Sequence, residues 1–280
     1  MRSVPRVRFG QTATVMRRNM ERQVKLSVRG HFGRLPKPER WAFIVGCYNS
    51  GTTLLHSLIA SHRDVGSLPA EGQFLTDQLP IPKADGLDRR WALNEASYRL
   101  TERREQLVDV TRLKRQWGAA FNDPMRAVLI EKSPPNAART RWLQTQFEPA
   151  YFVGLIRNGY AVAEGIARKG SISLTQAALQ WARSNEIMLA DWPSLEHKLL
   201  LRYEELAESP KDSLLKVFSF LRLDPDRFDW SVLEQPRRIH ERLEPVRNLN
   251  SASLSALSEN GRLEIEHQAI GMLKALGYEC

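Results

Sequence analysis

Apolar residues along the chain switch repeatedly between two periods. Trp41 to Val45 is a short apolar run of strand formers, and Leu54, Leu55, Leu58 and Ile59 then repeat at helical spacing. Further apolar runs at Ala127–Ile130, Tyr151–Ile156 and Leu199–Tyr203 predict strands, and a short strand is expected after Asp64, ending near Pro69. Between and after them, helices are predicted around Trp142 to Phe147, from Ala161 to Ile166, from about Leu174 to Trp192, over Leu214–Leu221 and over Leu263–Leu276. Strands alternating with helices imply parallel βαβ units, hence an α/β fold with a doubly wound parallel sheet flanked by helices.

Two segments stand outside that alternation. Residues 80 to 125 are polar, with helical patches at Trp91–Leu100 and Glu105–Trp117, and read as a helical insertion over the sheet edge. Residues 1 to 40 form a basic arm ahead of a single domain that spans 41 to 280. The arm carries 11 Lys/Arg against 2 Asp/Glu, which leaves 30 of each in the other 240 residues. The net charge of +9 therefore sits on the arm, and no nucleic-acid partner is expected. Val15, Met16, Met20, Val24 and Val28 fall at roughly helical spacing among Arg17, Arg18, Arg22, Lys25 and Arg29. Such a segment suits a helix on an anionic membrane, a targeting segment or a solvated extension, and the sequence leaves these three open.

No stretch of about 18 apolar residues predicts a membrane span, and no apolar run of signal-peptide type follows the N-terminus. The two cysteines, Cys47 and Cys280, exclude a disulfide framework and a cysteine zinc site. They suit a reducing compartment, so the expected location is cytoplasmic, with peripheral membrane contact through the arm as the variant.

Chemistry concentrates where the first strand meets its helix, at Gly46-Cys47-Tyr48-Asn49-Ser50-Gly51-Thr52-Thr53. A strand, a glycine-bearing loop and a helix N-terminus aim backbone N–H groups at an anion. The spacing is that of a phosphate-binding loop, but Thr52 stands where a lysine would reach a γ-phosphate, which points to a nucleotide without one. An ordinary βα turn, capped by Ser50 or Thr52, would look similar. Two further groups fall on the same sheet edge. One is the turn Glu131-Lys132-Ser133-Pro134, after which Asn136 is expected to cap the next helix; the other is Arg157, ending a charge-free strand. Arginine there can take a second anion bidentately.

This set resembles the sulfotransferases that use 3′-phosphoadenosine 5′-phosphosulfate (PAPS), from about Trp41 to the terminal Leu276-Gly277-Tyr278. The resemblance implies a P-loop-like fold and PAPS as co-substrate, with no metal. It assigns the 5′-phosphosulfate to Asn49, Ser50, Gly51, Thr52 and Thr53, and the 3′-phosphate to Arg157 and the position of Gly165. Tyr203 falls on the adenine side, Glu71 at the position of the catalytic base, and Lys132 where a cation can neutralise the leaving phosphate. Within the family the motif layout is closest to carbohydrate and protein-tyrosine sulfotransferases, so the expected partner is an acceptor bearing a glycan, glycolipid, tyrosyl or phenolic hydroxyl. Two residues depart from the pattern: Asn49 replaces a basic residue and Gly165 a serine. A P-loop kinase for a small molecule and a non-catalytic adenosine bisphosphate-binding module are the rival readings.

Overall fold

The computed structural model describes residues 9–101, 108–239 and 242–278. Cys280, the start of the expected helical patch at Glu105, and the side chains of Val15, Met16, Arg17 and Arg18 lie outside what is described.

The chain opens with α1 (Phe9–Phe32) and enters the sheet at β1 (Arg40–Gly46), followed by α2 (Thr52–Ile59) and β2 (Val65–Ser67). The described residues of the insertion include a 3-10 stretch at Trp91–Ser97 and the helix α3 (Val110–Gly118), capped by the Asp109 carboxylate on the Arg112 N–H. Next come β3 (Val128–Lys132), α4 (Thr140–Gln146), β4 (Ala150–Ile156), α5 (Gly159–Gly170), α6 (Leu174–Asp191) and β5 (His197–Arg202). The remainder holds α7 (Tyr203–Glu208), α8 (Pro210–Leu221), the short strands β6 (Arg237–Ile239) and β7 (Arg242–Glu244), α9 (Asn250–Ser255) and α10 (Glu259–Ala275).

The five main strands form one sheet in the order β2-β3-β1-β4-β5, every neighbouring pair parallel. The expected α/β sheet is present, with helices on both faces. Side chains alternate along β1: Trp41, Phe43 and Val45 enter one core with Trp142, Phe147 and Trp181, while Ala42 and Ile44 enter the other with Leu54, Leu58 and Phe218. Phe147 anchors the first core, edge-on to Trp41 at 5.0 Å and to Phe43 at 5.4 Å. The register sets Ile44 beside Lys132 and Gly46 beside Leu155, so β1, β3 and β4 end together. Ligands of open α/β sheets bind at this carboxyl edge.

Three local expectations change. Asn136 does not cap α4; it lies in a 3-10 turn over Pro134–Ala138, its side-chain amide is drawn to the buried Glu131, and Arg139 holds the cap position instead. Tyr203 does not end β5 but opens α7. The hairpin of β6 and β7 and the short helix α9 have no counterpart in the expected elements; three-residue strands and a six-residue helix are too short to show a period.

The arm is helical and packs on the domain. Leu26 is buried, the Gln116 side-chain amide donates to its carbonyl at 2.9 Å, and Arg22 donates to the Phe74 and Thr76 carbonyls at 3.3 and 3.0 Å. Met20, Val24, Val28 and Phe32 face outward, 53 to 86% exposed. Among the described residues no helix is long and apolar enough to cross a membrane.

Candidate active site

The loop after β1 takes its shape from two residues with positive φ, Asn49 (61°) and Gly51 (92°). Asparagine tolerates this region. At Gly51 any side chain would also collide, since a Cβ would lie 2.5 Å from the Tyr203 ring. Gly51 precedes α2 without a side-chain cap, so the first-turn N–H groups of α2 stay available for an anion. Asn49, Gly51, Thr52 and Thr53 line a cavity of about 510 Å³. Ser50 is fully buried and not on that wall; its Oγ has no hydrogen-bond partner, and its N–H closes the turn on the Cys47 carbonyl at 3.2 Å. The Cys47 thiol is also buried, which pushes its pKa up to about 12 and leaves it inert.

Glu71 and Lys132 meet in the same cavity. Lys132 Nζ lies 2.9 Å from Glu71 Oε1, and the Gln73 side-chain amide donates to Glu71 Oε2 at 2.9 Å. A buried scaffold holds this pair. Glu131, next to Lys132 on β3, accepts from the Gly72 N–H at 2.8 Å and from Ser133 Oγ and Asn136 Nδ2, while Trp117 Nε1 donates to the Gly72 carbonyl at 3.0 Å. Burial pushes the Glu131 carboxyl up to about 7, against these hydrogen bonds. Behind it the fully buried Arg139 donates to the Tyr98 carbonyl at 3.0 Å and to Asn136 Oδ1 at 3.4 Å, and burial draws its pKa down to about 10. The N–H of Gly72 is thus fixed from β3 and its carbonyl from α3, and Glu71 is the residue before it.

Arg157 leaves β4 and turns into the cavity. Its Nε donates to Asn250 Oδ1 and its Nη1 to the Asn49 carbonyl, both at 2.8 Å, and the guanidinium lies 4.0 Å over the Tyr203 ring. These bonds leave Nη2 for a ligand. Tyr203 is held in turn by its hydroxyl, which donates to the Arg247 carbonyl and accepts from the Leu249 N–H, each at 3.1 Å. Glu204 organises the rest: it accepts from the Asn158 N–H at 3.0 Å, from Asn250 Nδ2 at 2.7 Å and from the Tyr278 hydroxyl at 2.9 Å. The terminal Leu-Gly-Tyr thereby joins the site's support. Gly165 lies across from Asn49, where a Cβ would come 3.2 Å from Asn49 Nδ2.

Of the residues expected at the site, all but Ser50 line this one cavity. The sequence reading did not find Lys83, Arg89, Arg168, Lys169 and Arg247, five cations on the same wall. Among the described residues, two carboxylates, Glu71 and Asp88, line the cavity with these five cations, Lys132 and Arg157, so it suits a polyanion. Lys169 stands one helical turn beyond Gly165, so the i,i+4 rule applied to α5 was the available signal. Lys83 and Arg89 sit on the insertion and Arg247 follows the β6–β7 hairpin, and none belongs to a motif. Among the described residues no cluster of three or more His, Cys, Asp or Glu could hold a metal ion.

Comparison with known proteins gives the family and the fold. A family model described as the sulfotransferase family matches residues 42–227. A search of curated protein sequences finds no significant match. Among solved structures, the sulfotransferase domain from the olefin synthase of Synechococcus PCC 7002 shares the fold, with a TM-score of 0.52, 19% identity, and coverage of 88% of this chain and 97% of that one. Sulfotransferase STF9 from Mycobacterium avium aligns with a TM-score of 0.52 at 13% identity, over 90% of this chain and 79% of its own. A mouse sulfotransferase, SULT7A1, solved with PAP, aligns with a TM-score of 0.46 at 12% identity, over 89% of each chain. The chain belongs to the sulfotransferase family, enzymes that take their sulfuryl group from PAPS.

Proposed function

We propose that the protein moves a sulfuryl group from PAPS to a hydroxyl of a glycan, glycolipid, tyrosyl or phenolic acceptor, with Glu71 as general base. The observation that carries this reading is the Glu71–Lys132 pair, 2.9 Å apart, in the cavity into which the uncapped N-terminus of α2 opens. Co-substrate binding would fall to Gly51, Thr52 and Thr53 at the helix N-terminus, to Asn49 in the loop with Gly165 across from it, and to Arg157 and Tyr203 toward the other end. Ser50, buried behind the loop, would shape it and make no contact. The donor supplies an activated sulfuryl group whose leaving group is a phosphate.

Each oxygen of Glu71 spends one lone pair, on Lys132 or on Gln73, and keeps another for the acceptor O–H. Glu71 takes that proton as the acceptor oxygen bonds to sulfur and the sulfur–bridging oxygen bond breaks. The electron pair stays on the phosphate, where Lys132 meets the charge. Positioning and electrostatics supply most of the rate in such transfers.

The test is transfer of labelled sulfate from PAPS across a panel of glycans, glycolipids, tyrosyl peptides and phenols. Labelled product in at least one class, lost in Glu71→Gln, is expected. A chain that binds adenosine 3′,5′-bisphosphate but labels nothing is instead the non-catalytic module.

A separate observation bears on location. The outer stripe of α1, Met20, Val24, Val28 and Phe32, with Lys25 and Arg29 alongside, supports contact with an anionic membrane surface. Sedimentation with phosphatidylserine vesicles, but not with phosphatidylcholine vesicles, is expected. Equal recovery in the supernatant with both would remove this reading.

A further inference from the structure

Resting on the donor reading above, we propose that Lys169 is the cation of the anion-binding loop and that it contacts the 5′-phosphosulfate of the donor. The loop from Cys47 to Thr53 contains no basic residue of its own. Lys169 reaches it from α5, with Nζ 3.2 Å from the side-chain oxygen of Asn49, and it lines the same cavity as Gly51, Thr52 and Thr53.

Asn49, Gly165 and Lys169 form a matched set. With its oxygen turned to the ammonium, the Asn49 amide must turn Nδ2 toward Gly165, where it is buried with no hydrogen-bond partner. An orphaned buried donor costs about 1 to 3 kcal/mol, so the orientation must be held by something on the other side of the amide. Lys169 is that group. The bare Gly165 makes the arrangement possible, because a side chain there would press on Nδ2 from 3.2 Å.

Three neighbouring cations are engaged elsewhere, and Arg89 lies over the Tyr48 ring, 5.8 Å from its centroid, without touching Asn49. Lys132 is paired with Glu71 at 2.9 Å, Arg168 with Glu164 at 2.7 Å, and Arg157 spends two of its nitrogens on Asn250 and Asn49. Lys169 makes one bond and has two N–H groups left for an anion. Its surroundings call for one. Partial burial, with Arg89, Arg168 and Arg157 nearby, draws its pKa down to about 8, and the facing carboxylate, Glu164, is already occupied by Arg168. A bound phosphate or sulfate would supply the missing countercharge.

Asn49 is shared, its carbonyl by Arg157 and its side chain by Lys169. The assignment to the 5′ end rests on Arg157 already having Nη2 for the 3′ end. That leaves Lys169 as the cation for the loop whose Gly51, Thr52 and Thr53 line the same cavity. Titration calorimetry on the full chain with adenosine 5′-monophosphate, adenosine 3′-monophosphate and adenosine 3′,5′-bisphosphate separates the two. Lys169→Met is expected to weaken the 5′-monophosphate and the bisphosphate at least tenfold and the 3′-monophosphate less than twofold. Lys169→Arg should bring the 5′ ligands back to within about threefold of wild type. Equal losses for both monophosphates, or no loss for the 5′-monophosphate in a Lys169→Met protein that melts like wild type, would overturn the proposal. Wild-type protein that binds none of the three ligands would overturn the donor reading itself.

Discussion

The two ends of the cavity are built by different means. The donor end consists of strand termini and the tight connections after them: the loop after β1, Arg157 after β4, and the opening of α7 at Tyr203. Its groups are fixed by backbone registry, with Gly46 beside Leu155 and Ile156 beside Arg202. The rest of the wall carries Lys83 and Asp88 from the insertion and Phe74 from the turn after Glu71, with Arg89 reaching back over the Tyr48 ring, and the turn is held by side-chain bonds that cross long stretches of sequence. Arg112 on Asp77 and Arg22 on the Thr76 carbonyl are two of these. The groups at the sheet edge are positioned by a few neighbouring residues, whereas the segments to which the proposed function leaves acceptor recognition can vary without disturbing the sheet.

The sharpest way to break that division is at Glu71, which lies between the ends. Glu71→Gln should lower turnover by about 10²- to 10⁴-fold, the usual worth of a general base, while bisphosphate affinity stays within about twofold. A parallel loss of donor affinity in calorimetry would place Glu71 on the donor instead.

Lys132 and Asn49 give the next contrast, both measured at saturating substrates. Removing a charge-assisted contact costs about 1.5 to 3 kcal/mol, so Lys132→Ala should cost at least about tenfold in turnover, because the charge it meets develops in the transition state. A neutral amide contributes about 0.5 to 1.5 kcal/mol, so Asn49→Ala should cost about tenfold or less. A larger loss at Asn49 would give it the leaving-group role and reduce Lys132 to a partner of Glu71.

A pH series sharpens the donor end. The phosphate's own second ionisation lies near pH 6, so above pH 7 the ligand is constant. Lys169, lowered to about 8 by partial burial and by Arg89, Arg168 and Arg157, with Glu164 opposing, loses its proton across the next two units. The charged form binds the anion, so bisphosphate affinity should fall about tenfold from pH 7 to pH 9. The fall should vanish in Lys169→Arg, which stays charged. The smallest effect is expected at the acceptor end. Lys83→Ala should raise acceptor KM by at most a few fold, in keeping with an exposed charge, with bisphosphate affinity unchanged.

The same division decides what could be read in the sequence. The parallel sheet and the gathering of Gly51, Glu71, Lys132 and Arg157 at one cavity were legible, because a strand period, a turn or a strand end places each at the carboxyl edge; the role expected of Glu71 came from the resemblance alone. Lys169 was not, because its meaning depends on Asn49, 120 residues away in sequence. Asn136 was misread as a helix cap because an asparagine after a double proline fits that local pattern; only the fold shows that buried Glu131 claims its amide. The support of Arg157 by Asn250 and Glu204 lies in a helix and a strand–helix junction too short to carry a period.

The central claim is that the cavity is built for a nucleotide with phosphates at both the 3′ and 5′ positions and none at the γ position. Thermal unfolding with adenosine 3′,5′-bisphosphate, against ATP with magnesium, tests it most directly. A ligand at a hundred times its Kd stabilises by about 2.7 kcal/mol, and the shift grows with the logarithm of concentration. The bisphosphate should raise Tm by several degrees and more than ATP with magnesium at every concentration, and an equal or greater rise with ATP would contradict the claim and favour a kinase.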